Sequence, residues 1–514
     1  MLFRSIRKLL GEKSYAHAQV HGDAAVYPVE HAVDLTVAIN PGPPCKFGPV
    51  TITGLKRVKG SVVEDQVTFD EGEPYSATAL ARTRARLYAL RVFGVVDVVP
   101  DLSDSASPVV PVTITLTEAR ARELRAGPLF QIEPGKAILA AHAQWRDDNV
   151  IDRLWRMEQE TEVGVGTLLP EVSPTELRAE DVQIKPVPVV DVHGRVEIPQ
   201  LLGPTWSLVN EGQVEVGFET GYRYFTTSFS PSLAYNGIEH FVFSGGYRIQ
   251  YTDYFDRTIN LRDIEDSPLG LDLKDPYLLS LLEQRLLYDG RDSPLSATTG
   301  SYWSFALGEA GGPFGGDFQF FRVIGEGRTY RSLPDIGAWD PGLTFAGRLG
   351  WGVILPYGKG AEASVPYAER LYLGGANSVR GWGPDRLGPY VCDDGQEGFG
   401  VTRDSSTCAR KFDLQVPAGG NLSLMGSLEV RKSLLFGVSL ALFSDVGQVW
   451  DTPEDFDYRE LQVSVGAGLR YATLIGPIRA DLAWRAYAPP YFDDPNYFVA
   501  HPGLAVYLAL GEAF

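Results

Sequence analysis

The chain is poor in cysteine and methionine, with three of each in 514 residues. It has no run of about 18 apolar residues, which excludes a transmembrane helix. A membrane barrel stays open, because its strands need only about 9–11 residues each. The basic, amphipathic segment Met1–Leu10 is not followed by the apolar stretch of about 7–15 residues that a signal peptide requires. The expectation for an exported protein is then a precursor that begins upstream of Met1. Catalytic signatures are missing too. The seven histidines show no H-E-x-x-H spacing, and no G-x-S-x-G elbow occurs. The Gly-rich segment Gly308–Gly316 lacks the P-loop pattern and reads as a hairpin turn. Acidic clusters at Asp451–Asp457 and Asp493-Asp494 read as solvated loops rather than calcium sites. No enzyme activity, metal or cofactor is expected. Positive charge is also scarce: 46 Lys and Arg face 65 Asp and Glu, a net −19 that argues against nucleic acid as a partner.

What is present points to β structure. The chain is 44% hydrophobic and 11% aromatic, with 55 glycines, a mix that disfavours disorder and favours short strands with many turns. The charge is uneven. Residues 1–121 hold 13 basic and 13 acidic residues, so the remaining 33 and 52 carry the whole −19. That acidity fits a solvated surface, and equally fits acidic loops around a polar lumen.

Residues 47–118 read as one small α+β module. Val50–Gly54 is a strand, Phe69–Pro74 a turn, and Ser76 an N-cap for a helix over Ala77–Val92. Leu80, Leu87 and Leu90 lie on its apolar side, with Arg82, Arg84, Arg86 and Arg91 mostly outside. Strands follow at Val95–Val99 and Val109–Leu116. Residues 1–44 repeat part of this order: Ile6–Leu10 is helix-like and Val33–Ile39 strand-like. Tyr15 and Phe93 lie 78 positions apart, as do Val20 and Val98. This internal repeat lacks its opening strand.

From about residue 122 the helical period gives way to alternation of period two. Leu422, Leu424, Leu428 and Val430 oppose Ser423, Ser427, Glu429 and Arg431. Phe436, Val438, Leu440 and Leu442 oppose Gly437, Ser439, Ala441 and Asp445. Ile478, Ala480, Leu482 and Trp484 oppose Arg479, Asp481 and Arg485. Leu504, Val506, Leu508, Leu510 and Phe514 oppose Gly503, Ala505, Tyr507 and Ala509. An apolar face in lipid and a charged face in a wet lumen explain this pattern. Residues 122–514 hold about 16 strands at roughly 25 residues per strand and connection, an even number as membrane barrels require. Closure also removes the edges of so large a sheet.

Within the Gly-rich stretch Gly374–Gly388 stands Val379-Arg380-Gly381-Trp382. Downstream come Gly419-Gly420-Asn421, leading to Glu429, and then Phe443-Ser444-Asp445-Val446-Gly447. A loop arginine with two carboxylates aimed at one interior predicts a loop pinned inside a barrel, Arg380 against Glu429 and Asp445. Cys392 and Cys408 flank one polar loop. Their pairing would mark an oxidising compartment and close roughly 17 residues, worth about 3 kcal/mol; two free thiols are the alternative, and Cys45 is left unpaired.

These segments, in this order, resemble the BamA/TamA superfamily. Val379–Trp382 is similar to its sixth-loop signature, and the segments bearing Glu429 and Asp445 to the two motifs that follow. Asp289-Gly290-Arg291-Asp292, with Pro294 and Gly300, resembles its mid-barrel pattern. Residues 47–118 resemble a POTRA domain and 1–44 the tail of another. Residues 122–514 resemble the outer-membrane barrel, with Phe514 its terminal aromatic. Trp382 stands where the family more often has Tyr or Phe. The proline-rich linker at Pro41–Pro44 and a turn at Gly127-Pro128 place the chain nearer TamA. The resemblance implies a Gram-negative outer-membrane protein with POTRA in the periplasm. It implies an assembly or insertion factor for nascent outer-membrane or secreted proteins, in contact with outer-membrane lipid and with a periplasmic or inner-membrane partner through POTRA. Two other readings are an exporter of the two-partner-secretion type, which needs a plug helix not visible here, and a passive pore, which needs neither POTRA nor a pinned loop.

Overall fold

The structure, a computed structural model, describes residues 6, 9–27, 32–133, 136–168, 186–219, 222–255, 276–333, 342–358, 364–393, 399–402, 416–434, 436–473, 477–487, 504–510 and 512–514. Expectations on Cys408, on Asp493-Asp494 and on most of the Ile6–Leu10 helix lie outside those residues, and so does the side chain of Cys392. The Cys392–Cys408 pairing therefore stays an expectation. Cys45 is a free, buried thiol.

The chain divides into two compact units. One comprises residues 1–125, 144–159 and 196–204; the other comprises 126–143, 160–195 and 205–514. The first unit opens with an antiparallel pair, β1 (Gln19–Tyr27) and β2 (Ala32–Asn40). Then come β3 (Lys46–Thr53), α1 (Gly60–Glu64), α2 (Ala77–Ala89), β4 (Phe93–Pro100) and β5 (Val109–Glu118). Ser76 caps α2, its Oγ accepting from Ala79 N at 3.3 Å. The helix ends three residues before the expected Val92. Arg91 takes a left-handed φ of 59°, so the chain turns out of the helix after Leu90. In the sheet order β3-β5-β4, the middle strand pairs parallel with β3 and antiparallel with β4. Its alternate residues Val110, Val112, Ile114 and Leu116 form the core with Leu80 and Leu87 of α2. Leu154 joins that core, Arg57 pairs with Asp152 at 2.9 Å, and Arg156 Nη2 donates to Ala89 O at 3.0 Å. The helix C-terminus, which carries partial negative charge, is thereby capped by a guanidinium from outside 47–118.

The second architecture is one sixteen-stranded antiparallel sheet. Its strands are β6 (Arg122–Glu133), β7 (Lys136–Val150), β8 (Trp155–Leu168), β9 (Val187–Pro199), β10 (Trp206–Glu219), β11 (Tyr222–Ile238), β12 (Phe241–Phe255), β13 (Tyr277–Asp289), β14 (Gly300–Ala310), β15 (Phe320–Ser332) and β16 (Leu343–Pro356), followed after a long insertion by five more. The insertion carries its own small sheet of β17 (Tyr390–Asp393), β18 (Phe399–Thr402) and β19 (Val416–Pro417). The large sheet resumes with β20 (Leu422–Ser433), β21 (Val438–Trp450), β22 (Gln462–Tyr471), β23 (Ile478–Tyr487) and β24 (Leu504–Leu510), and β20 pairs directly with β16. Among the described residues the order starts at β24 and ends at β6.

Two expectations need correction here. Gly127-Pro128 is not a turn but lies inside β6; a strand at the end of a sheet order tolerates a residue with no N–H to donate. Phe514 does not share the outward face of Leu504, Val506 and Leu508. Strand β24 ends at Leu510, so parity is lost, and the Phe514 ring is buried with Ala297, Tyr330, Ala346 and Ala513.

One acid holds a loop of the first unit. The Glu118 carboxylate accepts backbone N–H groups of Lys56 and Arg57 at 2.8 Å and of Val58 at 3.0 Å. Partial burial works to raise its pKa, but these bonds and the Arg57 charge outweigh it and hold it below the ordinary carboxylate range. The folded value is depressed, so its stabilisation is present above the unfolded value of about 4.3 and is lost as pH falls through the folded one. Glu118→Gln is expected to remove this part of the acid limb when unfolding of the first unit is followed from pH 6 to 3; an unchanged pH profile would reject the assignment.

Candidate functional site

Alternation sets the site. On β20 the inward residues Ser423, Met425, Ser427, Glu429 and Arg431 are buried while Leu428 is 70% exposed. Strand β21 turns Ala441, Phe443 and Asp445 inward and Leu442 outward. Strand β23 buries Arg479 and Asp481 and exposes Leu482 and Trp484. The apolar face is thus the exposed one and the charged face the buried one, the inverse of a soluble sheet.

Into this interior the insertion between β16 and β20 sends Arg380, 1% exposed. Its Nε and Nη2 bind Asp445 as a fork, at 2.7 Å to Oδ2 and 2.9 Å to Oδ1. Its Nη1 reaches Glu429 Oε2 at 3.1 Å and Asp481 Oδ2 at 3.3 Å, and its backbone N–H also donates to Asp445, at 3.1 Å. The guanidinium carbon lies 3.3 Å from the centroid of the Phe443 ring. Three carboxylates around one arginine would leave uncompensated charge. Arg431 binds Glu429 at 2.9 Å, Arg470 binds Glu429 at 3.2 Å and Asp481, and Arg479 binds Asp481 at 3.0 Å. Arg470 also reaches Glu512 at 3.3 Å. Four guanidinium groups therefore face Glu429, Asp445, Asp481 and Glu512, so the buried charges balance.

The loop backbone is shaped to deliver that arginine. Gly381 has φ +105°, and a Cβ there would come within 3.2 Å of Ser464 Cβ. Val379 and Trp382 pack with Leu373, Leu387, Met425 and Val449. Gly447 makes room for Val379: a Cβ on it would lie 2.7 Å from Val379 Cγ2. The segment Phe443-x-Asp445-x-Gly447 thus supplies a ring for the guanidinium, its carboxylate partner and a gap for the neighbouring valine, all from one face of one strand.

A second anchor was not expected from the sequence. Glu369 lies on a short helical turn of the same insertion, and its carboxylate is buried between Arg248 of β12, at 2.5 Å, and Arg322 of β15. Arg322 continues to Glu283 at 2.7 Å. Val365 and Leu371 on either side enter an apolar cluster with Tyr277, Leu279 and Phe320. The insertion thus offers an anion to a cationic wall at one point and a cation to an anionic wall at another.

The structure places Arg380, Gly381 and Trp382 of the loop beside Glu429 and Asp445 of the wall. The mid-barrel motif makes its own contacts beside this group. Arg291 clasps Asp289 at 2.9 and 2.8 Å, and Asp292 accepts from Thr298 N and Thr299 N at 2.9 and 3.1 Å, so all three shape the turn between β13 and β14. Ala297 of that turn touches the Phe514 cluster, and Arg431 sits 5.7 Å from the Phe514 ring. Among the described residues no cluster of metal-ligating side chains occurs.

The family model described as the Omp85 superfamily domain matches residues 199–504. The chain belongs to the Omp85 superfamily. The model described as the surface antigen variable number repeat, a POTRA domain, matches residues 45–119. The outer membrane protein assembly factor BamA of Nitratidesulfovibrio vulgaris is 23% identical over 474 residues, covering 90% of this chain and 52% of its own length. That of Neisseria meningitidis serogroup B is 23% identical over 527 residues, covering 93% and 59%. The chain therefore spans little more than half of these relatives. The crystal structure of BamA from Haemophilus ducreyi lacking POTRA domains 1–3 superposes with a TM-score of 0.65 at 16% identity, covering 95% of this chain and 90% of that one. The sixteen-stranded sheet is an Omp85 barrel preceded by POTRA, an outer-membrane protein with its POTRA in the periplasm.

Removing the Arg380 charge leaves buried carboxylates without their counter-ion, a loss of about 3–5 kcal/mol in a dry site and less where water enters. Arg380→Glu is expected to speed trypsin cleavage after Arg386 by at least about tenfold, with partial reversal by Asp445→Arg; unchanged cleavage would contradict the latch. Glu369→Gln is expected to loosen residues 365–371 alone, read by hydrogen exchange, and less than Arg380→Glu does, because Arg322 keeps Glu283. Equal loosening at 379–382 would show that the two anchors are one unit.

Proposed function

We propose that the protein is a non-enzymatic assembly factor that inserts nascent outer-membrane proteins, or translocates secreted ones, through its own sheet edge. The observation that carries this reading is the Arg380 latch inside a sixteen-stranded antiparallel sheet whose order ends at β6 and β24. A passive pore has no use for a balanced network that holds one loop against its wall.

Residues 47–118 act as a POTRA domain, 1–44 as part of another, and 122–514 as the barrel. The latch, with Arg380, Gly381, Trp382, Glu429 and Asp445, keeps the loop seated and sets the conformation in which clients are handled. The client enters by strand addition at the β6–β24 seam. Pro128 has no N–H for the ladder, which weakens that seam and lowers the cost of opening it. In the POTRA sheet β3 and β4 are the outer strands, and they offer a second edge for a client or a periplasmic partner. Names of the two relatives support the assembly role. The outward face, with Leu428, Leu442 and Val506 exposed, fits contact with lipid.

The test is a reversible lock. Cysteine pairs along Leu124–Ile132 and Leu504–Leu510, bridged by a disulfide, are expected to stop insertion of barrel clients in proteoliposomes, and reduction to restore it. Full activity while locked would overturn the proposal.

A further inference from the structure

The loop tip is tied to the last strand as well as to the charge network. Strand β24 points Leu504, Val506 and Leu508 outward, each at least half exposed, and Ala505, Tyr507 and Ala509 inward. Tyr507 is the one bulky residue of that inner face. Its hydroxyl accepts from Gly381 N and donates to Trp382 O, both at 2.8 Å. From β23, Arg485 Nε donates to Gly381 O at 2.7 Å, and its guanidinium lies 4.8 Å from the Trp382 ring centroid. The left-handed φ of Gly381 presents its N–H to β24 and its C=O to β23 at once, next to the seated Arg380.

We propose that Tyr507 is a positioning residue that couples the Arg380 latch to the terminal strand. While Arg380 is seated, the phenol holds β24 inward through two backbone groups of the loop. When the latch lifts, Gly381 and Trp382 leave with it, β24 loses this tie, and its edge becomes free for strand addition. The role rests on the assembly reading, but the mechanical link is measurable without any client. A phenylalanine keeps the ring and its packing and deletes both hydrogen bonds, so it separates the tie from the bulk.

The experiment is hydrogen exchange on the full chain in lipid nanodiscs, comparing wild type, Tyr507→Phe, Arg380→Gln and the double variant. Tyr507→Phe is expected to raise exchange at 504–510 and 379–382 by roughly tenfold, with 462–471 unchanged. Arg380→Gln is expected to raise exchange at 504–510 although its guanidinium bonds carboxylates of β20, β21 and β23, and the double variant to go no further than the larger single. The coupling is overturned if Tyr507→Phe leaves 504–510 unchanged, if Arg380→Gln does not reach that strand, or if 462–471 rises equally, which marks a merely structural loss. Intact coupling in a protein that inserts no clients would uphold the relay and reject the assembly reading.

Discussion

One buried guanidinium organises the barrel interior. Arg380 carries its donors into a space where a lone charge is prohibitively costly, and that space accepts it because Glu429, Asp445 and Asp481 already line β20, β21 and β23. Those carboxylates would repel one another without it, and Arg431, Arg470 and Arg479 complete the balance. The loop is thus not laid over a finished wall: wall and loop each leave the other with unpaired charge. A planar fork of fixed geometry on Asp445 also gives the contact a single register, which an ammonium group would not.

The rest of the insertion follows from that constraint. Glycines at 381 and 447 exist for close approach, one of the loop backbone to Ser464 and the other of Val379 to β21. Glu369 fixes the other end with opposite polarity, so a loop displaced along the lumen would set like charges against each other. Towards the chain terminus, Arg431 and the Phe514 ring connect the same network to the turn that holds Asp289, Arg291 and Asp292. Motifs far apart in the chain become parts of one packed interior.

Which of these features were readable from the residues depends on what alternation can tell. Parity assigns a face, and it assigned Glu429, Asp445, Arg479 and Asp481 correctly because the strands are regular and the two faces differ in polarity. Parity says nothing of depth along the strand, so it did not distinguish Asp481, which reaches Arg380, from other inward acids. It failed at Phe514, where the strand stops before the aromatic; the turn expected at Gly127-Pro128 rests on the dipeptide and not on parity, and that pair lies within β6. The helix end was overextended to Val92 because the apolar period continues through Leu90 while Arg91 has already left the helix. Glu369 and Arg322 lie 47 positions apart with no motif around them, and only the folded register brings them together.

We infer that Arg380 keeps the loop seated inside the barrel in a lipid membrane. The most direct measurement is the distance distribution between spin labels at Pro384→Cys in the loop tip and Tyr458→Cys in the exposed connection after β21, in otherwise unchanged protein and in Arg380→Gln, both in bilayers. The latch predicts one narrow population in the parent and a broad or shifted one in the variant. A distribution that stays narrow and in place after Arg380→Gln would contradict it.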